Sequence, residues 1–509
     1  MGSAAHYDAA RGTVPRLLFD RVADTPGREA YRFPDSGGWA SVTWAEVGSR
    51  VTTLAAGLVA RGVAPGARIA IRAATSYRAI LADLAVACAG AVSVPVYAPT
   101  RDDEVRDLAR HCDAALTVTD RDLDARVLHL DRLAELAADG DALLDTDPDA
   151  VDARIAEVTP DSAACLIYTA CDDGSAKGAI LSHGAVAYTA RAMAEVGMIG
   201  PRDLQLLWLP LSHVFGRALL FVAMQVGLPT AVDGRADRVV ENLRSVRPTF
   251  LGSVPHVLAK IGAAAAADRS ALGGRLRFLI SGSARLPRDL AKRLEDLGVP
   301  VFEGYGITET AGPVCVNRPD AHKPGSVGLP LPGTEVRIAD DCELLIRGPS
   351  LMTAYHADPV ATAAALDADG WFHTGDCATV DADGFVSMRG RKKDVFKTTT
   401  GKYVAPNAIA ERFRALCPGA EIVVVGEGRS HCIGLVFPSD PDFPGDPDAD
   451  VHAAVEQLNG ELNRWERIRR VALVDRPLGA GDRDETGAPQ RAVVLERFAD
   501  VIDRLYDEH

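Results

Sequence analysis

The residues best suited to chemistry in this chain are Gly304, Tyr305, Gly306, Thr308 and Glu309, within FEGYGITET. Paired glycines let the backbone come close to a flat ring, on which Tyr305 can stack. The Thr308 hydroxyl can bond phosphate, and the Glu309 carboxylate can hold a hard cation such as Mg²⁺. Without context the same stretch reads as a turn. Two other places carry isolated polar groups: His213 in LWLPLSHVFGR, and Asp376 in WFHTGD with Arg391 fifteen residues later. A histidine at a strand end is ordinarily satisfied by backbone, and an aspartate after glycine is ordinarily a turn residue. Lysines cluster at 392, 393, 397 and 402, and none follows in the last 107 residues.

The elements that must position these groups are legible from periodicity. Residues 42–62 carry apolar residues at helical spacing and end at a glycine. Short apolar runs at 68–72, 92–97, 115–119, 206–210, 249–254 and 277–281 alternate with helical stretches, the pattern of parallel sheets covered on both faces. Residues 334–347 read as a hairpin around Ala-Asp-Asp, so an antiparallel part follows. Beyond 390 the sequence predicts a hairpin at 421–437, a helix over about 451–468, a strand at 471–475 and a terminal helix from about 491. The expected partition is 1–390 and 391–509. The expected fold class is α/β: a large N-terminal domain of two parallel-type sheets with helices plus a β-barrel-like part, then a small mobile α+β domain.

Bulk properties exclude several classes. The net charge of −15 argues against nonspecific nucleic-acid binding. The nine cysteines show no CxxC, which points to reduced cytoplasmic thiols rather than a disulfide framework or zinc site. Residues 79–98 are apolar but contain Asp83, Gly90 and Pro95, so a buried helix running into a strand is expected, with no stable membrane insertion. No signal peptide is visible.

Five segments, in order, resemble the adenylate-forming superfamily, and the wording KDVFKTTTGKYVAP, LPLSHVFGR and EGYGITET is most similar to long-chain acyl-CoA synthetases. The resemblance implies ATP or AMP, Mg²⁺ and CoA as cofactors or cosubstrates, and a carboxylic acid converted to acyl-AMP and passed to CoA or a carrier thiol. Residues 165–184 stand where the family has its phosphate loop, with Tyr168, Thr169, Gly174, Lys177 and Gly178 matching. His213 stands beside the acyl pocket of such enzymes. Gly282, Ser283 and Ala284 in FLISGSA accompany the GYG segment. Asp376 resembles the ribose-binding carboxylate and Arg391 the ribose-contacting arginine. Lys393 falls at the hinge of the small domain, and Gly401 matches the glycine of the pantetheine tunnel. Thr308, Glu309, His213 and Lys177 are the expected catalytic positions, with Glu309 the metal ligand.

Two departures qualify this expectation. Ala170, Cys171, Asp172 and Asp173 depart from the phosphate loop's small and hydroxyl residues and bring in two carboxylates; a charge pair about 5 Å apart at a dielectric of about 20 interacts by roughly 3 kcal/mol. The family's C-terminal lysine, which meets the α-phosphate of ATP, is also missing. Ala488 or a neighbour stands there, with Arg483 and Arg491 nearby, and guanidinium does not replace a compact ammonium. Adenylation is therefore expected to be impaired. A second reading keeps the nucleotide pocket but takes a preformed acyl-adenylate or another oxyanion such as nitrite. A third is a non-catalytic scaffold that binds nucleotide or acyl-CoA.

Overall fold

The computed structural model describes residues 12–121, 127–170, 176–399, 402–438, 447–483 and 489–507. Gly174, Gly401, Asp172, Asp173 and Ala488 lie outside the described residues. The chain divides into two compact units, one formed by residues up to 336 with 346–372 and 381–386, the other by 337–345, 373–380 and 387–509.

The first unit is built on two large sheets. One has seven strands, among them Arg68–Arg72, Val92–Val96, Ala114–Thr119 and Ala163–Ala170. The pairings among Arg68–Arg72, Val92–Val96 and Ala114–Thr119 are parallel. The other has nine strands, with Phe250–Ser253, Phe278–Ser281 and Val301–Ile307 running parallel through its middle. These are the β-branched, apolar runs that parallel burial demands. Helices such as Trp44–Ala60 and Tyr77–Cys88 cover them; the first opens with a reciprocal Thr43–Glu46 capping box. Asp83, which argued against a membrane span, is buried in ion contact with Arg217 at 3.0 Å and accepts the Ser93 hydroxyl. No helix among the described residues is long and apolar enough to cross a membrane.

The second unit has its own core. Strands Ala420–Val425 and Cys432–Pro438 form the expected antiparallel hairpin, and Ile468–Leu473 adds in parallel. Helix Pro406–Leu416 buries Ile409 and Phe413 against one face, and the C-terminal helices bury Val494 and Ile502 against the other. Two expectations need adjustment. The helix expected over 451–468 runs Pro447–Glu461, and the terminal helix is two pieces, Arg491–Arg497 and Ala499–Asp507, broken at Phe498. Lys402, the last lysine, places its ammonium 5.4 Å from the ring centre of Trp465, which is 40% exposed.

The cysteine expectation is overturned at one place: Cys342 and Cys377 form a disulfide, their Cα atoms 4.9 Å apart. They stand 35 residues apart, so no motif announces them. The backbone brings them together, with Ala378 N–H donating to the Cys342 carbonyl. The other described cysteines are free and buried.

Candidate nucleotide and acyl site

In the first unit the site is organised by strand Val301–Ile307 and the turn Thr308–Thr310 that follows it. Tyr305 lines an apolar cleft together with Met193, Met198, Phe215, Ile280 and Val316; its free volume is about 60 Å³. Gly282 and Ser283 also border it, so the two sequence segments come together there. Exposed Ala284 follows directly. Helix Val214–Val226 starts just after His213, whose ring lies 5.7 Å from that of Tyr97.

The glycines of this strand have a different task from the one their pattern suggests. A Cβ on Gly306 would stand 2.0 Å from the Gly312 carbonyl oxygen, and one on Gly304 would stand 3.2 Å from that of Cys315. Both carbonyls belong to the antiparallel neighbour Gly312–Val316. Close approach of two strands, rather than of a ligand ring, accounts for these glycines.

Glu309 accepts a 2.7 Å hydrogen bond from the Tyr355 hydroxyl at Oε1, and its backbone carbonyl accepts from Met352 N–H. The Lys177 ammonium lies 5.5 Å from the centre of the Tyr355 ring. Tyr355 thus bridges a cation and a carboxylate that are 132 residues apart in sequence. Nothing near it in sequence announces this role. Lys177 and Gly178 stand on a strand, Ala176–Ser182, paired with Ala163–Ala170 in the register Thr169 to Lys177 and Tyr168 to Gly178. The two strands pair antiparallel, and the helix starts only at His183. Tyr168 spends its hydroxyl on His111 Nδ1 at 2.6 Å, and burial pushes its ionisation upward. Thr169 Oγ1 reaches the Lys177 carbonyl at 3.4 Å.

In the second unit, Asp376 and Arg391 do meet, Oδ1 to Nε at 3.4 Å. They sit on Phe372–Val380 and Val386–Arg391, neighbours in a four-stranded sheet. Glu343 supports them in a way the sequence did not signal. Its nearly buried carboxylate accepts from Gly375 N–H and from the Lys392 ammonium, both at 2.8 Å, and lies 3.2 Å from His373 Nδ1. Burial alone would raise its pKa, but Lys392, Gly375 and His373 together hold it below the usual carboxylate range. Lys392 also contacts Asp341 at 2.6 Å, so its own pKa is raised, by Asp341 first and then Glu343. Lys393, the expected hinge residue, follows in the short turn Lys392–Asp394.

Neither arginine near the missing lysine is idle. Arg483 makes a two-pronged contact with Glu421 at 2.6 and 3.1 Å. Arg491 donates to the Val424 carbonyl and lies over the Phe396 ring, inside the small unit's core. Among the described residues, no cluster of three or more His, Cys, Asp or Glu side chains forms a metal cage.

Residues 18–356 match the model of the AMP-binding enzymes, and residues 393–509 match the C-terminal domain of those enzymes. The chain belongs to this family. It is an adenylate-forming enzyme of the AMP-forming acid–thiol ligase class. It is 30% identical to the long-chain-fatty-acid–CoA ligase FadD15 of Mycobacterium bovis, over 97% of each chain. It is also 30% identical, over 91% of this chain and 95% of the other, to a methyl-dioxo-octahydroindenyl-propanoyl:CoA ligase of Mycobacterium tuberculosis. The fold is similar to that of apo MatB from Rhodopseudomonas palustris, with TM-score 0.75, 25% identity, and 96% and 99% of the two chains covered.

Proposed function

We propose that the protein activates an apolar, fatty-type carboxylic acid with ATP and transfers the acyl group to CoA. The observation that carries this reading is the layout along one strand. Tyr305 borders an apolar cleft, and four residues later Glu309 is tied through Tyr355 to Lys177. An apolar chain and a polyphosphate would thus find their own surroundings a few residues apart. The similarity to FadD15 over the whole length supports the fatty class.

In the first half-reaction the acid's carboxylate attacks the α-phosphorus of ATP and pyrophosphate leaves. Tyr305 stacks on adenine, and Asp376 and Arg391 hold the ribose hydroxyls. Lys177 and Thr308 meet phosphate oxygens, and His213 flanks the reacting carboxylate. Glu309, whose Oε1 accepts from Tyr355, would hold Mg²⁺ together with substrate phosphates. When bound, Mg²⁺ would neutralise charge developing on the phosphates. In the second half-reaction the CoA thiolate attacks the acyl carbonyl and AMP leaves. Lys393 serves as hinge and Gly401 as the tunnel glycine for this step.

The missing lysine adds a specific expectation. Arg483 and Arg491 are engaged with Glu421 and Val424, which supports the view that they do not stand in for it. One absent ammonium at the α-phosphate costs on the order of 10²–10³ in rate. Thioester formation needs mainly positioning of the thiol against an activated carbonyl. ATP–pyrophosphate exchange across a panel of acids is expected to be weak, while supplied acyl-AMP plus CoA yields acyl-CoA readily. Ala488→Lys is expected to raise exchange selectively. Exchange at rates typical of ligases, about 1–10³ s⁻¹, would show that another cation fills the role. Failure of both half-reactions with every acid would instead favour the non-catalytic reading.

A further inference from the structure

The Cys342–Cys377 disulfide lies between the two ion contacts that hold Arg391 and Lys392. Cys342 is flanked by Asp341 and Glu343, the two acceptors of Lys392. Cys377 directly follows Asp376, the partner of Arg391. The bond therefore fixes the register of one acidic turn against the strand that carries the carboxylate. Cys342 also sits at φ +73°, a conformation that L side chains adopt at a cost. It is half-buried while Cys377 is fully buried, so Cys342 is the more accessible residue of the pair. The remaining described cysteines are buried and unpaired, which confines thiol exchange to this pair among the described residues.

We propose that Cys342–Cys377 is a reversible thiol–disulfide modification site that governs nucleotide affinity by setting the geometry of Asp376 and Arg391. It rests on the ribose role proposed above for those two residues. The co-reactant is a dithiol. Its thiolate attacks Cys342 Sγ, the sulfur–sulfur bond breaks, and Cys377 leaves as a thiolate that takes up a proton. The second thiol of the reductant then closes on the mixed disulfide and expels Cys342, which is protonated in turn. The reductant loses two electrons and two protons, and the pair gains them. With the bond gone, the turn carrying Asp341, Cys342 and Glu343 is no longer tied to Asp376. Cys342 can leave its left-handed backbone conformation, and Glu343 loses its fixed reach to Gly375.

The test uses the full-length protein, oxidised with glutathione disulfide or reduced with dithiothreitol. Calorimetric titration with AMP is paired with mass-spectrometric detection of alkylated thiols. Cys342 and Cys377 are expected to resist alkylation until reduced. AMP binding is expected to weaken about tenfold on reduction and to recover on reoxidation. The paired Cys342→Ser and Cys377→Ser substitutions are expected to bind AMP as the reduced protein does and to ignore redox treatment. Equal affinity in both states, or alkylation of both cysteines in the oxidised protein, overturns the proposal. Asp376→Ala separates it from the ribose reading. If that variant binds AMP normally, the ribose reading fails. The switch then stands only if reduction accelerates hydrogen exchange in 337–345 and 373–380, and it falls if exchange is unchanged.

Discussion

At the scale of single residues, the site depends on side chains that no motif contains. Tyr355 is the clearest case, since its hydroxyl fixes Glu309 while its ring underlies Lys177. Tyr355→Phe keeps the ring and removes the charge-assisted hydrogen bond, a change of about 1.5 kcal/mol or more. ATP affinity at saturating Mg²⁺ is expected to fall about tenfold, with AMP affinity unaltered, as calorimetry with each nucleotide would show. An equal loss for both would place Tyr355 in general packing instead. Asp376 and Arg391 were legible because WFHTGD and the segment around Arg391 resemble the family's motifs, and they stand on adjacent strands of one sheet. Glu343 and Lys392 were not, because a carboxylate and an ammonium 49 residues apart carry no periodic signal. The same holds for Cys342 and Cys377, whose pairing exists only once the chain has folded.

At the scale of elements, short apolar runs translated well into strands because burial on both faces leaves few alternatives. Helix ends translated less well. Glu461 ends a helix expected to reach 468, because Ile468 is already committed to pairing with Cys432 in the small unit's sheet. Residues Ala176–Ser182 pair back on Ala163–Ala170 as a strand before the helix at His183 begins, and that pairing depends on a neighbour rather than on local pattern. The contact between Val301–Ile307 and Gly312–Val316 offers a direct test. In Gly306→Ala a methyl group would need to occupy space 2.0 Å from the Gly312 oxygen. Forcing the strands apart is expected to cost roughly 3 kcal/mol, read as a lowered urea midpoint. An unchanged midpoint would show that the turn at Thr308–Thr310 absorbs the strain.

At the scale of the whole molecule, stability in acid is expected to hinge on the first unit. His183 is buried at the start of a helix and accepts the Val14 N–H at Nδ1, and burial pushes its pKa down to about 4. Between about pH 4 and 6.5 the unfolded chain binds this proton and the folded one does not, so stability rises with pH across that window. Acidification from neutrality to pH 4 is expected to remove roughly 3 kcal/mol through this group, and His183→Gln is expected to flatten the slope of urea midpoint against pH. An identical slope in that variant would shift responsibility to the carboxylates. Trp465 makes the two units separable by a different means. The other four tryptophans, Trp39, Trp44, Trp208 and Trp371, all belong to the first unit and are buried or half-buried. Trp465 is the second unit's single indole, comparatively open to water and topped by the Lys402 ammonium. Excited at the red edge, its emission is a native optical label for the small unit, so melting or ligand response there can be followed by fluorescence without attaching a dye.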